Sequence, residues 1–204
     1  TVSAAYSMAH ELNSPLPKNV TCIKPSGTIS KIMGTEEWGE VPEGVHMPLG
    51  RYVFNNITFS RHDPLVARFR AAGYEIADKP YEPESVLVKF PVRFDNVPFL
   101  RKAVTRKNGK VEEVDVNNDS AVEQLEWYKM LQETWCEQNV SNTISYDPSE
   151  VPAIIDWLLN NWDCYVGVSF LFRNDPSKNA EDLGYAYLPQ EVTTQAAYES
   201  YVSK

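Results

Sequence analysis

The apolar and polar positions of this chain fall into short runs with two different periods. Residues 1–14 (TVSAAYSMAHELNS), rich in Ala, Met and Leu, predict a helix that Pro15 and Pro17 end. Residues 19–24 predict a short apolar strand, which opens at Pro25 into Ser26-Gly27-Thr28-Ile29-Ser30. The stretch 34–50 is glycine- and proline-rich and reads as irregular, and 51–60 (RYVFNNITFS) alternates like a strand. Asp63-Pro64 marks a helix start, with Asp as N-cap and Pro in the first turn, and Gly73 marks its stop. Residues 86–94 (VLVKFPVRF) are extended, with Pro91 placing them at an edge or bend. Asn108-Gly109 between alternating residues predicts a hairpin over 104–116.

In the second half, Ser120 with Glu123 forms a capping box for a long helix running to about Gln138. Its apolar face carries Val122, Leu125, Tyr128, Leu131 and Trp135. Residues 140–145 predict a short strand. Ser149 predicts the cap of a second helix, with Val151, Ile154, Ile155, Leu158 and Leu159 facing inward. Residues 166–172 (VGVSFLF) are almost wholly apolar, as expected of a strand covered on both faces. This alternation favours an α/β fold with a buried parallel sheet or barrel and an inserted β-hairpin. No repeat or linker divides the chain, so 1–204 reads as one domain, with the polar and aromatic stretch after Asn174 laid over its surface.

The loop after residue 24 carries the first candidate chemistry. A strand that stops in a Ser/Gly/Thr turn before a helix leaves backbone N–H groups and hydroxyls free at one point, and a helix start favours anions. Gly27 lets the main chain come close to a ligand, while Ser26, Thr28 and Ser30 offer hydroxyls. The same residues also make an ordinary turn and N-cap.

Composition narrows the partners. The chain has 204 residues, 43% hydrophobic and 12% aromatic, so it can bury a core. Its net charge of −9 argues against binding along a nucleic-acid duplex, although a local site can still hold a mononucleotide. No run of about 18 apolar residues predicts a membrane span, and no signal peptide is evident. Cys22, Cys136 and Cys164 are widely spaced without a CxxC pair, which fits a reduced cytoplasmic setting and neither a disulfide framework nor a zinc site. Each reads as a buried, inert thiol, with Cys22 set apart by its place ahead of the loop. The chain opens at Thr1, without a methionine, directly in a predicted helix. That suggests a fragment, a processed product or one piece of a split protein.

Other candidates have bland readings. His46 reads as a loop histidine bonded to backbone, and His10 and His62 as surface or cap residues without partners. Glu36, Glu37, Glu40 and Glu43 are spaced irregularly and read as a solvated segment rather than a metal site. Lys24 and Lys31 flank the loop and read as solvent-exposed. Trp127, Trp135, Trp157 and Trp162 fall on helix faces and read as core.

Taken in order, KPSGTIS at 24–30, EGVH at 43–46, WCEQNVSNTISY at 135–146, the helix over 148–159 and the tail YAYLPQEVTTQAAYESY resemble the C-terminal part of ribonucleotide reductase catalytic chains. The likeness is strongest to the monomeric, adenosylcobalamin-dependent class, which reduces ribonucleoside triphosphates. The resemblance implies the C-terminal portion of a ten-stranded α/β barrel. A finger loop in that barrel carries a cysteine that becomes a thiyl radical and abstracts the ribose 3′ hydrogen. Carried over by position, Ser26, Gly27, Thr28, Ile29 and Ser30 would hold the substrate phosphates.

The resemblance also implies a thioredoxin-like reductant, and a partner in the N-terminal part of the reductase, in cis or as a split chain. Two departures matter. The finger-loop motif Asn-x-Cys-x-Glu is absent, so no catalytic residue and no cobalamin-binding residue is identified here, and the family's C-terminal redox cysteines would lie beyond Lys204. Where the iron-dependent class carries two adjacent tyrosines for radical relay, this chain has Leu171 and Phe172 in VGVSFLFRN. The alternative reading is a non-catalytic nucleotide-binding module.

Overall fold

A computed structural model of the chain describes residues 1–24, 48–95 and 99–204. Its fold is mixed α/β. The sequence predicts one domain, but the chain divides into two compact units: residues 1–25 with 119–173, and residues 26–118 with 174–204.

The second unit is built on the strongest alternation in the sequence. Strand β1 (Tyr52–Ser60) pairs antiparallel with β3 (Ser85–Arg93), setting Val53 opposite Val92, Asn55 opposite Phe90, Ile57 opposite Val88 and Phe59 opposite Val86. Since side chains alternate across a strand, these pairs share one face. Helix α2 (Pro64–Ala71) contributes Val66 and Phe69 to the cluster formed there with Val86, Val88, Phe90, Phe59 and Tyr74. Its start and stop are as predicted. Asp63 accepts from the Leu65 amide at 2.9 Å, and Gly73 takes φ +85°, a conformation that costs a side-chain-bearing residue.

The opposite face meets α5 (Gln195–Val202): Tyr52 lies against Tyr198 and Phe54 against Tyr201, each pair 5.2 Å between ring centroids. The Tyr201 hydroxyl donates to the Lys89 carbonyl and accepts from the Glu75 amide, both at 2.8 Å. A sheet covered on both faces explains the nearly continuous apolar run of β3.

The tail after Asn174 therefore does not lie over a finished surface. It supplies α5 and also β8 (Gln190–Val192), which joins the open side of β1 in a sheet ordered β2-β3-β1-β8, with β2 being Ile76–Asp78. Three side-chain bonds fix the register. Gln190 donates to Asn55 at 2.9 Å, and Asn56 donates to the Leu188 carbonyl at 2.8 Å and to Glu191 at 2.7 Å. Pro91 lies past the end of β2, which flanks β3 only over 86–88, so it costs no ladder bond on that side.

The predicted hairpin is β4 (Phe99–Thr105) with β5 (Val111–Asn117), turning at Gly109 with φ +82°. Gly50 bridges to Val116 on the other side of β5. A side chain at 50 would meet the Asp115 carbonyl oxygen at 2.6 Å and a Val192 methyl at 2.8 Å, so glycine is required by space.

In the first unit, α1 (Val2–Glu11) buries only Ala9. Helix α3 (Ala121–Thr134) has the predicted capping box: Ser120 Oγ accepts from the Glu123 amide at 3.1 Å, and Glu123 Oε2 accepts from the Ser120 amide at 2.7 Å. The helix ends four residues before the expected Gln138. Strand β6 (Thr143–Tyr146) pairs in parallel with β7 (Ser169–Phe172). Apart from this pair and one bridge described below, the described ladders are antiparallel, against the expectation of a buried parallel sheet. No closed barrel forms among the described residues.

The second helix is capped differently from the prediction. A 3₁₀ turn (Pro148–Glu150) precedes α4 (Val151–Asn160), and Glu150 rather than Ser149 accepts the Asp147 amide, at 2.8 Å. Its apolar residues are not all inward: Ile154 and Trp157 are buried, while Val151, Ile155 and Leu159 are exposed. Trp127, Trp135 and Trp162 are exposed where a core was expected, and so are Val166, Leu171 and Phe172 of the predicted buried strand.

Two outcomes are expected of this architecture. Gly50→Ala lowers stability by about 1–3 kcal/mol through overpacking, measured by urea denaturation. Stability also falls in acid. The Glu75 carboxyl is held below its ordinary range chiefly by its bond to Lys204, and Glu123 by the Ser120 amide. Groups depressed on folding stabilise above their unfolded pKa of about 4.3 and lose that contribution as pH falls through the folded value. Thermal melts between pH 7 and pH 3 should show midpoints steady above about pH 5 and dropping below it, and Lys204→Ala should flatten the drop.

Candidate functional site

The loop singled out by the sequence departs from a segment that a distant stretch of chain holds in place. Ile23 and Val140 form a parallel bridge. The Ile23 amide donates to the Asn139 carbonyl at 3.4 Å, the Ser141 amide to the Ile23 carbonyl at 3.0 Å, and the Gln138 amide to the Thr21 carbonyl at 3.2 Å. Side chains close what a single bridge leaves open. The Thr21 hydroxyl donates to the Trp135 carbonyl at 2.7 Å and accepts from the Glu137 amide at 3.2 Å, while the Glu137 carboxylate accepts the Val20 amide at 2.6 Å. The strand predicted over 19–24 is thus one bridge with side-chain support, and it joins NVTCIK to WCEQNVS.

Ser26, Gly27, Thr28, Ile29 and Ser30 lie outside the described residues, as do Lys31, His46, Glu36, Glu37, Glu40 and Glu43. Lys24, at the end of the described segment, is exposed as expected.

The stretch paired with Ile23 continues into β6, which is parallel to β7, so three extended segments run in one direction. Crevices at the carboxyl ends of parallel strands are where α/β folds bind ligands. Arg173 follows β7 at such an end. Its guanidinium donates to the carbonyls of Asp119 and Ser145 and lies 3.5 Å from Asp147 and 3.6 Å from Glu150. Glu150 also caps α3 by accepting the Ala121 amide at 2.7 Å. Gln124, buried on α3, both donates to the Ser145 carbonyl at 2.9 Å and accepts from its amide at 3.0 Å. These bonds tie the start of α3, the end of β6 and the end of β7 into one rigid corner.

One buried group in this unit is left over. Val140, Asn142 and Ile144 point to one side of their extended segment and are all buried. Asn142 is 7% exposed, and neither its amide nitrogen nor its oxygen has a hydrogen-bond partner among the described residues. The sequence reading passed over it. The signal was present in VSNTIS, where an asparagine occupies an inward position between two apolar ones.

The cysteines hold no catalytic arrangement. Cys136 is buried, as expected, whereas Cys22 and Cys164 are half-buried, and burial pushes the Cys164 thiol up. No group of three or more metal-ligating side chains occurs among the described residues. His62, expected without a partner, lies 3.2 Å from Glu84. Leu171 and Phe172 stand at the end of β7, and the Phe172 ring lies 4.8 Å from that of Tyr146.

Comparison with known proteins decides the kinship. No family model matches the chain. It is 30% identical over 185 residues to the adenosylcobalamin-dependent ribonucleoside-triphosphate reductase of Levilactobacillus brevis, covering 87% of this chain and 22% of that protein. The enzyme of the same name from Euglena gracilis is 27% identical over 91% of the chain and 22% of its own length. A crystal structure of a B12-dependent (class II) ribonucleotide reductase superposes with a TM-score of 0.65 at 25% identity, covering 99% of this chain and 25% of that one.

The chain is homologous to a segment of the class II ribonucleotide reductases. It spans about a fifth of the length of the curated relatives it matches. The structural likeness covers 99% of the chain, and so includes both the NVTCIK and WCEQNVS stretches. Within it, Arg173→Met is expected to lower stability by about 2–3 kcal/mol in urea denaturation, because two carbonyls and two carboxylates lose their shared donor. Arg173→Lys should recover only part of that loss, since an ammonium lacks the planar fork.

Proposed function

We propose that this chain is the substrate-phosphate side of an adenosylcobalamin-dependent ribonucleoside-triphosphate reductase. In this reading the hydroxyls of Ser26 and Thr28, with main-chain N–H groups of Gly27, Ile29 and Ser30, hold the phosphates of a ribonucleoside triphosphate. The anion is favoured there by unpaired donors at a helix start. The observation that supports the reading is the hydrogen-bonded pairing of 20–23 with 135–141, which orders the chain immediately ahead of the Ser-Gly-Thr sequence in a segment similar to the class II reductases.

The radical chemistry belongs to the remainder of the reductase, in cis or as a split partner. Completion of the ten-stranded barrel, adenosylcobalamin and a thioredoxin-like reductant belong with it. When bound, adenosylcobalamin would supply the radical that starts ribose reduction; no residue described here fits it as a ligand, and no step through it is assigned to this chain. What this chain's residues do is bind and orient the triphosphate. The exposed apolar side chains of α4 and β7, among them Ile155, Leu159, Leu171 and Phe172, fit a face that the remainder of the enzyme covers. Among the described residues no helix is long and apolar enough to cross a membrane, and the three unpaired cysteines suit a cytoplasmic setting.

Titration calorimetry of the chain with ATP tests the site. Ser26→Ala/Thr28→Ala is expected to weaken binding by about tenfold or more, as lost hydrogen bonds to a charged ligand do. Equal affinity for the two proteins would overturn the phosphate site.

A further inference from the structure

We propose that the cavity between α3 and the turn joining α4 to β7 binds a free α-amino acid with an apolar side chain. Both walls belong to the first unit. The cavity holds about 480 Å³, within the range of small-ligand sites. Lys129 and Glu133 line it from α3, and Asn161, Asp163 and Tyr165 line it from the turn.

Internal hydrogen bonds hold the walls in shape. Gln132, on the α3 side, donates to the Cys136 carbonyl at 2.9 Å and accepts from the Val140 amide at 3.1 Å. Asn161 donates to the Trp157 carbonyl at 2.8 Å. The Val166 amide donates to the buried Tyr128 hydroxyl at 3.1 Å, which ties the end of the turn to α3.

The charges on these walls are not answered. Lys129 and Glu133 stand one turn apart on α3, a spacing at which opposite charges meet on a helix face, yet no ion pair joins them. The Lys129 ammonium instead donates to the Asn161 side-chain oxygen at 2.7 Å, which uses one of its three donors. It is half-buried, and among the described residues no carboxylate lies in ion-pair range of it. Glu133 and Asp163 likewise have no cationic partner among the described residues. A partly desolvated charge is costly unless it is paired, so a cavity edged by an unpaired ammonium and two unpaired carboxylates calls for a ligand of both signs.

Those signs select the class of ligand. Phosphate would face Glu133 and Asp163 unfavourably, and a simple amine would face Lys129. The carboxylate of an α-amino acid accepts from Lys129 while its ammonium donates to Glu133 or Asp163, so one small molecule answers both. The Tyr165 ring, with its centroid 6.2 Å from that of Trp157 and 5.8 Å from that of Trp162, gives the ligand's side chain an apolar surface. The half-buried Cys164 thiol lines the same cavity and reports whether it is filled.

Alkylation of Cys164 by iodoacetamide, followed by mass spectrometry on the full chain, tests the site with L-leucine as the probe. At ten times the dissociation constant found by calorimetry, leucine is expected to slow Cys164 alkylation about tenfold, because only the empty fraction reacts. Alkylation of Cys22 should be unchanged. Leucinamide, which lacks the carboxylate, and 4-methylpentanoate, which lacks the ammonium, should leave the Cys164 rate as it is. Lys129→Met and Glu133→Gln should each weaken leucine binding by about tenfold, the loss expected of a charged hydrogen bond. Glu133 is exposed and makes no bond in the fold, so Glu133→Gln should melt with the wild type and separates lost binding from lost structure. No calorimetric binding of leucine with undiminished Cys164 alkylation would overturn the site. Equal protection by leucinamide or 4-methylpentanoate would overturn the zwitterion assignment, and protection that survives in both variants would overturn the cavity as the place of binding.

Discussion

A single parallel bridge, Ile23 to Val140, fixes the geometry on which the functional reading depends. Parallel pairing between segments more than a hundred residues apart is entropically costly, because the loop between them must close before the pairing returns anything. One bridge alone is a weak return. Thr21 and Glu137 make up the difference by binding backbone groups on the opposing segment, so that the amides and carbonyls at the pairing's edge are not left bare. These two polar side chains therefore do the work that further ladder rungs do in a longer strand. With the pairing set, Thr21 to Ile23 are held against 135–141 over their whole length.

The second unit follows a different logic. Its sheet is antiparallel, and the residues that complete it come from the far end of the chain. Strand β8 is three residues long and would be marginal by its ladder alone. Asn55 and Asn56 grip it from both faces of β1, one through Gln190 and the other through Leu188 and Glu191. Helix α5 is held the same way, by the Tyr201 hydroxyl bridging Lys89 and Glu75. In both units, short elements distant in sequence are fastened by specific polar side chains, with apolar burial supplying the bulk of the energy near β3.

Local signals in the sequence were legible in proportion to how local their physics is. The capping box at Ser120 and Glu123, the Asp63 cap and the Asn108-Gly109 turn each depend on a few adjacent residues, and each is where the pattern predicts. Burial was less legible. Periodicity marks Ile155, Leu159 and Trp162 as apolar but does not say what covers them, and they are exposed in a chain that spans about a fifth of its relatives' length. The tail was misread for a related reason: QEV at 190–192 has no strand signature of its own, and its pairing is decided by β1. At the candidate site, the loop 26–30 carries its signal in residue types alone and lies outside the described residues, whereas Asn142 gave no signal, because a polar residue in an apolar stripe reads as noise until its neighbours are seen to leave it unbonded.

That unbonded amide bears on how the segment divides its tasks. A fold optimised for stability alone would not retain it, since replacing an unsatisfied buried polar group by an apolar one is neutral or favourable. Arg173 shows the contrasting case in the same unit: a guanidinium whose neighbours are two carbonyls and two carboxylates of its own chain, with its bonding spent on holding α3, β6 and β7 together. Its charge is answered internally, so it is poorly placed to serve a phosphate. The unit thus holds a satisfied, structural corner at Arg173 beside a buried amide at Asn142 with no partner among the described residues.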